Sequence, residues 1–224
     1  MSNVNFKQRL YEQFARVGKA LSNGNRLEML EYLAQGERSV DSLATIAKLS
    51  VANTSQHLQL LRQSGLVNAR KEGQRVLYSI ADDSVLELLE SLRKTAGKSL
   101  AEVELLLNSY WKVKDSLEPV PADELMKRSE QGLVTIYDVR PPEEFNAGHI
   151  PGSINVPLKE LEKQLKETPK DKEIVAYCRG PHCVLAFDAV ASMRVKGFNA
   201  RRLEDGFPEW KRAGRPVETG SQKD

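Results

Sequence analysis

The sequence predicts two domains of different fold class: a mostly helical α+β domain first, then an α/β domain with a central parallel sheet. Apolar residues recur at helical spacing through most of the first half, and one pair of strand-like runs interrupts them. In the second half, strand-like runs alternate with helical ones, which is typical of parallel α/β sheets. A chain of 224 residues has room for two small domains.

The composition is that of an ordinary globular protein, with 40% hydrophobic residues and a formal net charge of +2. Because this charge is small, any basic surface for nucleic acid must be local. The apolar runs are too short to cross a bilayer, and the first residues lack the apolar core of a signal peptide. We therefore expect a cytoplasmic protein that does not bind membranes.

The first half contains several helices separated by turn signals. Phe6, Leu10, Phe14 and Val17 mark the first helix, which ends before the turn Ser22–Asn25. The elements predicted after this turn are a helix with Leu27, Leu30 and Leu33, a short helix capped by Ser39 or Asp41, a helix over Ala52–Gln63, strands over Val67–Arg70 and Arg75–Ile80, and a long helix from Asp82 to about Lys114 that Gly97 kinks or breaks.

Two short helices followed by a basic hairpin predict a winged helix-turn-helix. The second helix of this motif enters the major groove, and the hairpin, or wing, brings positive charge to the phosphates. The residues predicted to contact DNA are Asn53, Thr54, Ser55, Gln56, His57 and Gln59 of the helix, and Arg70, Lys71, Gln74 and Arg75 of the wing. The alternative is that the polar run is the solvated face of a surface helix.

The segment Val51–Val67 resembles the recognition helix of the ArsR/SmtB repressors, and the wing over Arg70–Tyr78 and the opening Ala20–Leu27 resemble the same family. The resemblance covers about the first hundred residues. It implies a homodimer built on the first and last helices of the domain. Such a dimer binds double-stranded DNA at a twofold-symmetric operator and usually represses transcription.

Many members of this family sense metals through cysteines before the recognition helix or through histidines on the last helix. Here the segment Arg38–Leu43 has no cysteine, and the last helix carries Asp82, Asp83, Glu87 and Glu90 without a histidine. Soft and borderline metals prefer thiolate and imidazole ligands. We therefore expect neither a metal site nor a cofactor.

The stretch Asp115–Pro121 ends the helical pattern and is the predicted linker. The predicted domains are residues 1–114 and 122–218, with the linker at 115–121. The elements predicted in the second domain are buried strands at Leu133–Tyr137 and Glu173–Tyr177, a helix over Val184–Lys196, a strand at Asn199–Leu203 and a short helix at Pro208–Arg212.

The two cysteines, Cys178 and Cys183, lie in one short segment that follows an apolar strand and opens a helix. In a cytoplasmic protein such a pair is more often reactive than a structural disulfide. The start of a helix offers free N–H groups and the positive end of the dipole, which favour a thiolate, and Arg179 adds to this effect. Gly180 allows a tight loop. The loop therefore suits an anion or a persulfide on Cys178.

The segments Asp138–Pro157 and Gly206–Trp210, together with the cysteine loop, resemble the rhodanese family. The resemblance runs from about residue 120 to residue 217 and implies a single rhodanese-like domain. It implies that Cys178 accepts sulfane sulfur from a small donor as a persulfide and passes it to a thiol acceptor. Backbone N–H groups from Arg179 to Val184 would hold the outer sulfur.

Several residue roles stay open on this interpretation. The resemblance places Asp138 and Arg140 near the loop. Arg140 would then orient a charged substrate, or the pair would only hold the loop in its conformation. Cys183 either attacks a Cys178 persulfide, which yields a disulfide or a sulfur-bridged pair, or is a small buried apolar residue. His182 is a proton donor or thiolate partner, or else an exposed loop residue.

The loop also departs from two related patterns. Pro181 and His182 replace the small and basic residues of commoner rhodaneses, so we expect thiosulfate to be a poor donor. Some phosphatases also place a cysteine in an anion-binding loop, which is closed by an arginine that binds phosphate. Val184 stands at or near the position of that arginine, which argues against phosphate chemistry.

Three functions follow as hypotheses. The first is a regulator whose rhodanese-like domain detects reactive sulfur and alters operator affinity. The second is a sulfurtransferase whose DNA-binding half controls its own operon. The third is a binding module in which the rhodanese-like domain makes protein contacts and Cys178 takes part in no chemistry. The presence of the cysteine together with Arg179 and Gly180 counts against this third hypothesis.

Overall fold

The computed structural model describes residues 3–111 and 118–221, and the chain divides into two compact units, residues 1–95 and 96–224. The elements in chain order are α1 (Asn3–Leu21), α2 (Gly24–Ala34), β1 (Arg38–Ser39), α3 (Val40–Ile46), α4 (Val51–Gln63), β2 (Val67–Glu72), β3 (Arg75–Ile80), α5 (Asp83–Ser99), α6 (Ala101–Trp111), α7 (Ala122–Glu130), β4 (Val134–Asp138), α8 (Pro142–Ala147), β5 (Ile154–Asn155), α9 (Leu158–Glu167), β6 (Glu173–Tyr177), α10 (Val184–Val195), β7 (Ala200–Arg202) and α11 (Phe207–Arg212). Both predicted fold classes are confirmed. Of the predicted linker, residues 115–117 lie outside the described part, and its boundaries stay a prediction.

The first unit has the helices and the hairpin of a winged helix-turn-helix. β2 and β3 form an antiparallel hairpin that is paired out to Glu72 and Arg75, and Gly73 at its tip has a φ of 59°. Glycine adopts this left-handed conformation without steric cost. β1 pairs with the other edge of β3, so the sheet has the order β1-β3-β2. β2 is two residues longer than predicted, since its ladder continues to the turn.

The apolar side of α4 anchors the recognition helix in the core of this unit. Leu58 and Leu61 are completely buried, in one cluster with Leu43 of α3 and with Met29 and Leu30 of α2. Each fully buried leucine contributes about 2 kcal/mol relative to an exposed one. This packing fixes which face of α4 remains exposed.

Serine caps begin both helices of the helix-turn-helix. The Ser39 hydroxyl accepts a hydrogen bond from the Ser42 N–H, and the Ser50 hydroxyl accepts one from the Asn53 N–H, both at 3.2 Å. Of the two caps proposed for α3, the structure therefore uses Ser39. Each cap satisfies one backbone donor that has no partner within its helix.

The predicted long helix is two helices, α5 and α6. Gly97 lies inside α5 with open space around it, and the break comes at Leu100. The Leu100 N–H still bonds to the Ala96 carbonyl, and the Leu100 carbonyl accepts from Val103. Gly97 therefore does not break the helix, and residues 112–114 of the predicted helix lie outside the described residues. None of the described helices is long and apolar enough to span a membrane.

The second unit is built on a four-stranded parallel sheet in the order β5-β4-β6-β7. The prediction of Glu173–Tyr177 as a strand is confirmed at both ends, and β4, β7, α10 and α11 fall within two residues of their predicted bounds. β5 was not predicted, because two residues are too few for an alternating pattern.

Alternate residues of β6 face two different cores, one on each side of the sheet. Ile174 and Ala176 pack in a cluster with α9 and α10, whereas Val175 and Tyr177 pack in a cluster with α7 and α11. Such alternation is the period of a strand with both faces covered. Cys178 belongs to the cluster of Ile174 and Ala176, so its side chain lies on the α10 side of the sheet.

Candidate functional site

The exposed side of α4 carries most of the residues predicted to meet DNA. Gln56 and Gln59 are exposed, and Asn53, Ser55 and His57 are half-buried. Partial burial, and secondarily the charge of a nearby arginine, lower the pKa of His57, so its imidazole is neutral at pH 7. These side chains therefore offer hydrogen bonds rather than positive charge.

Thr54 does not belong to this surface. It is completely buried, and its hydroxyl oxygen has no hydrogen-bond partner among the residues that the structure describes. The prediction placed it with its neighbours on the exposed side, but the helical period turns this position inward, beside Leu58 four residues later. We leave Thr54 out of the candidate DNA surface.

The basic residues of the wing differ in their surroundings: Arg70 is paired with carboxylates, whereas Lys71 and Arg75 are exposed. Arg70 is paired with Glu37, with Nη2–Oε2 at 2.6 Å, and with Glu72, with Nη1–Oε1 at 2.8 Å. Hydrogen bonds from Arg70 lower the pKa of Glu37, so this carboxylate stays charged. Lys71 and Arg75 are exposed on the same hairpin, together with Gln74. The positive charge of Arg70 is thus offset before any ligand arrives.

The cysteine loop joins the end of β6 to the start of α10. The Cys178 sulfur is 3.5 Å from the Cys183 carbonyl oxygen and 3.9 Å from the Gly180 carbonyl oxygen, and both oxygens can accept from its S–H. Cys183 is the N-cap residue of α10. Its N–H donates to the Gly180 carbonyl at 3.1 Å, so this N–H is not available to an outer sulfur, contrary to the prediction.

The two thiols differ in their electrostatics. Burial, and then the hydrogen bond and charge of Cys183, raise the pKa of Cys178 well above its ordinary value. The Cys178 hydrogen bond, opposed by burial and aided by the N–H groups of Arg179 and Leu185, lowers the pKa of Cys183. The direction at Cys178 is opposite to the predicted thiolate, because burial outweighs the N–H groups of Ala186 and Gly180 that act on its sulfur.

The guanidinium of Arg179 is bound by a buried carboxylate of α8. Its guanidinium forms a two-pronged pair with Glu144 of α8, at 2.8 to 3.1 Å, and the Glu144 side chain is completely buried. This pair ties the loop to α8. Gly180 and Pro181 are half-buried, whereas His182 is exposed, as one of its two interpretations expects.

Asp138 and Arg140 form a buried pair below the loop. Both side chains are fully buried, with Nη2–Oδ2 at 2.5 Å, and Arg140 also donates to the Gly148 carbonyl at 2.7 Å. The guanidinium lies 4.3 Å from the centre of the Phe207 ring, and the Phe207 N–H donates to the Cys178 carbonyl at 3.0 Å. A buried, fully paired arginine cannot orient a substrate, so the structure agrees with the alternative in which this pair holds the loop.

Sequence reasoning missed three residues that shape the loop: Glu144, Gly206 and Glu209. A Cβ at Gly206 would lie 2.2 Å from the Gly180 nitrogen, so only glycine fits there. The Glu209 carboxylate accepts from the Gly206 N–H at 3.2 Å and faces Gly180. Glu209 stands three residues after the N-cap Gly206, which is the position of the acidic residue in a capping box, although glycine cannot supply the other half of that motif. No sequence signal links Glu144 to Arg179, since they are 35 residues apart.

Within the described residues, no three His, Cys, Asp or Glu side chains are grouped so that they could hold a metal ion.

Comparison with protein families assigns a class to each unit. Residues 23–69 match the model of the bacterial regulatory protein, arsR family, and residues 121–213 match that of the rhodanese-like domain. The chain is therefore a DNA-binding regulator of the ArsR type joined to a rhodanese-like domain.

The whole arrangement occurs in a relative. The HTH-type transcriptional regulator Rv0324 of Mycobacterium tuberculosis is 46% identical over 215 residues, which are 96% of this chain and 94% of the relative. This chain belongs to that family of HTH-type transcriptional regulators.

Solved structures resemble each unit separately. The NMR structure of the homodimeric winged helix-turn-helix DNA-binding domain Mb0332 of Mycobacterium bovis is 44% identical and covers 45% of this chain and 91% of its own, with a TM-score of 0.42. A rhodanese-related protein of Thermoplasma volcanium is 30% identical and covers 46% of this chain and 98% of its own, with a TM-score of 0.41.

Proposed function

We propose that this regulator is a homodimeric repressor that takes up sulfane sulfur as a persulfide on Cys178 and thereby changes its affinity for DNA. The observation that carries the proposal is the surroundings of Cys178. Its sulfur lies at the junction of β6 and α10, and although burial raises the pKa of the thiol well above its ordinary value, the backbone N–H groups of Ala186 and Gly180 act on it in the opposite direction. N–H groups of this kind suit a persulfide, which carries its negative charge on the outer sulfur.

The DNA surface of the proposal consists of the accessible side of α4 and the wing. Its members are Asn53, Ser55, Gln56, His57 and Gln59 on α4 and Arg70, Lys71, Gln74 and Arg75 on the wing. The neutral polar groups read base edges, and the cations bind phosphates. We place this activity in the cytoplasm, where the operator is.

A second copy of the chain is the proposed occupant of the apolar face of α1. Phe6, Leu10 and Phe14 follow one another at intervals of four residues and are 67%, 38% and 59% exposed. Leu88 and Leu92 of α5 are 39% and 38% exposed at the same spacing. Apolar stripes of this kind mark protein interfaces, and a twofold dimer matches two symmetric DNA half-sites.

The ion pairs around the loop support a donor of low charge. Arg179 is held by Glu144 and Arg140 by Asp138, so neither guanidinium is available for a dianion such as thiosulfate. The Glu209 carboxylate beside Gly180 adds negative charge. A hydropersulfide or a short polysulfide is therefore the proposed donor.

A second candidate function is that of a sulfurtransferase tethered to a DNA-binding unit, with no sensing by the loop. The same persulfide on Cys178 supports it. The two candidates differ in one respect only, which is whether sulfur on Cys178 alters DNA binding.

The test is the affinity for an operator fragment selected in vitro, measured by fluorescence anisotropy without oxygen and at one salt concentration. The reduced protein and the polysulfide-treated protein are compared, with Cys178→Ser as the matched variant. We expect a change of about fivefold or more in the native protein, which is typical of allosteric coupling, and no change in the variant. An unchanged affinity, with sulfur present on Cys178, would contradict sensing and leave the tethered enzyme.

A further inference from the structure

The last turn of α6 is hydrogen-bonded to the helix that begins at the cysteine loop. The Tyr110 hydroxyl donates to Asp188 Oδ1 of α10 at 3.1 Å, and both side chains are half-buried. In the sequence, Asp188 is the only charged residue between Val184 and Arg194. Both helices belong to the second unit, residues 96–224. The contact therefore lies within one compact unit, although the two residues are 78 positions apart in the chain.

Asp188 lies about one turn from the start of α10, and the same part of the helix encloses Cys178. The Cys178 side chain is 2% exposed and belongs to one core cluster with Ala186 and Ala189 of α10. Its sulfur is also 3.5 Å from the carbonyl oxygen of Cys183, the N-cap residue of this helix. The sulfur is thus enclosed between β6 and the first turns of the helix that carries Asp188.

A second sulfur atom on Cys178 has to displace part of this packing. Two bonded sulfurs lie about 2 Å apart, and protein interiors are too closely packed to take up another heavy atom without a shift. On one side of Cys178 is β6, a central strand that is hydrogen-bonded to β4 and to β7. On the other side is α10, which is held by side-chain packing. We therefore expect the first turns of α10 to move.

We propose that the Tyr110–Asp188 hydrogen bond transmits the sulfur state of Cys178 from α10 to α6. Loading of Cys178 moves the first turns of α10, and with them Asp188, so that this bond breaks. The inference rests on the proposed function, because it assumes that Cys178 takes up sulfane sulfur. It adds to that function the contact through which the cysteine loop acts on a helix outside the sheet.

The chain leads from α6 into the core that holds the recognition helix. α6 follows α5 after the single residue Leu100, which is hydrogen-bonded to both helices. Val85 and Leu89, in the first part of α5, share one core cluster with Leu58 and Leu61 of α4. A change in α6 therefore acts on a helix that packs in the core of the DNA-binding unit.

Tyr110→Phe tests the contact, because it removes the hydroxyl and keeps the ring. The full-length native protein and the variant are studied reduced and after treatment with cysteine hydropersulfide without oxygen. Peptide mass spectrometry gives the fraction of Cys178 that carries sulfur, and hydrogen–deuterium exchange over residues 101–111 reports on α6. We expect loading to speed this exchange about threefold or more in the native protein. In Tyr110→Phe the exchange should be fast before loading and change little afterwards, and in treated Cys178→Ser it should stay at the native reduced rate.

Operator affinity is measured on the same samples at one salt concentration. Because Tyr110→Phe lacks the bond that loading breaks, the reduced variant should bind the operator as the loaded native protein does. Loading should then change its affinity by less than about twofold. Ser109→Ala is the matched control, since the exposed Ser109 hydroxyl bonds to the Leu106 carbonyl of its own helix.

Variants of the acceptor separate the contact from a general loss of structure. Asp188→Asn keeps an oxygen that can accept from Tyr110 and should retain part of the response to sulfur. Asp188→Ala should behave as Tyr110→Phe does. The double variant Tyr110→Phe with Asp188→Ala should show no further loss, because both substitutions remove the same interaction.

Exchange in α6 that does not respond to sulfur on Cys178 would overturn the proposal. A full response of operator affinity in Tyr110→Phe would also overturn it, and the proposed sensing would then stand. If exchange in α6 responds to loading in the native protein but operator affinity never changes, the transmission to α6 stands and the proposed sensing fails. If Cys178 takes up no sulfur from the hydropersulfide, the proposed function and this inference both fail.

Discussion

At the scale of single residues, the loop around Cys178 is shaped by a backbone contact that leaves no room for a side chain. A Cβ at Gly206 would meet the Gly180 nitrogen at 2.2 Å, and both partners of this contact are main chain. We predict that Gly206→Ala displaces the loop and slows sulfur loading of Cys178 by about tenfold or more. Peptide mass spectrometry after hydropersulfide treatment measures this.

The control for this substitution is Gly18→Ala, since a Cβ at Gly18 meets no described atom within 4 Å. It should load sulfur at the native rate. If Gly206→Ala loads sulfur at the native rate, the loop accommodates the added methyl group. The backbone contact at Gly206 would then not determine the conformation of the loop.

The buried pair below the loop gives a prediction on stability. Arg140→Met removes the partner of Asp138 and leaves a carboxylate without its cation in a fully buried place. We expect the free energy of unfolding to fall by about 3–5 kcal/mol. Urea unfolding followed by the fluorescence of the buried Trp210 measures it, and Lys211→Met, on an exposed residue nearby, should change it little. Equal stability of both variants would contradict the structural role of the pair.

The sequence led to the residues whose roles are local and missed those defined by distant contacts. Cys178 and Gly180 follow a strand that the sequence shows clearly, so their position in the loop before a helix was predictable. The partner of Arg179 was not, because Glu144 meets it only after the sheet has formed. Thr54 was misplaced because every residue from 53 to 57 is polar, and composition alone does not show which of them faces inward.

At the scale of elements, carboxylates near the wing offset the positive charge of one of its arginines. Glu37, which precedes β1, pairs with Arg70 of β2. Glu37→Gln removes one of the two carboxylates that pair with Arg70 and leaves Glu72, so we predict that DNA binding tightens about two- to fivefold at low salt. The plot of log affinity against log salt concentration should also become steeper, by about one unit of slope.

Anisotropy titrations over a range of salt concentrations test this prediction. Glu87→Gln removes the same charge from an exposed place on α5 and is the matched control. If both variants bind DNA equally, the effect is one of net charge alone and the pairing of Arg70 has no role in binding.

The elements themselves were predictable where the pattern was long or strongly apolar. β6 was placed correctly because the apolar run Ile174–Tyr177 ends at a cysteine loop. The division between α5 and α6 was placed wrongly, because a glycine within a helix is only a weak breaker and Gly97 fits into the helix without strain. β5 depends on pairing with β4 and has no local signal.

At the scale of the whole molecule, the apolar face of α1 predicts a dimer. Phe14→Glu places a charge in this face, and we expect it to weaken dimerisation by about thirtyfold or more and DNA binding with it. Analytical ultracentrifugation measures the first effect. Gln8→Glu adds the same charge at an exposed position away from the Phe6–Phe14 stripe and should leave the dimer intact. A dimer of native strength in Phe14→Glu would show that the interface lies elsewhere.

Regulation also requires that the two units share one equilibrium. Sulfur on Cys178 changes operator affinity only if the loaded and unloaded loops have different free energies in the DNA-binding and non-binding forms of the dimer. By reciprocity, operator DNA must then change the affinity of the loop for sulfur by the same factor. Saturating operator should therefore shift the sulfur occupancy of Cys178 at equilibrium, whereas a tethered enzyme should not respond to DNA.

The most direct measurement determines sulfur occupancy and DNA affinity on the same samples. The protein is loaded to graded extents with hydropersulfide. One portion is digested to give the fraction of Cys178 that carries sulfur, and another is titrated with operator at fixed salt. We predict that the change in binding follows the occupied fraction of Cys178 and is reversed when dithiothreitol removes the sulfur. Operator affinity that stays constant from zero to full occupancy would contradict the proposed sensing.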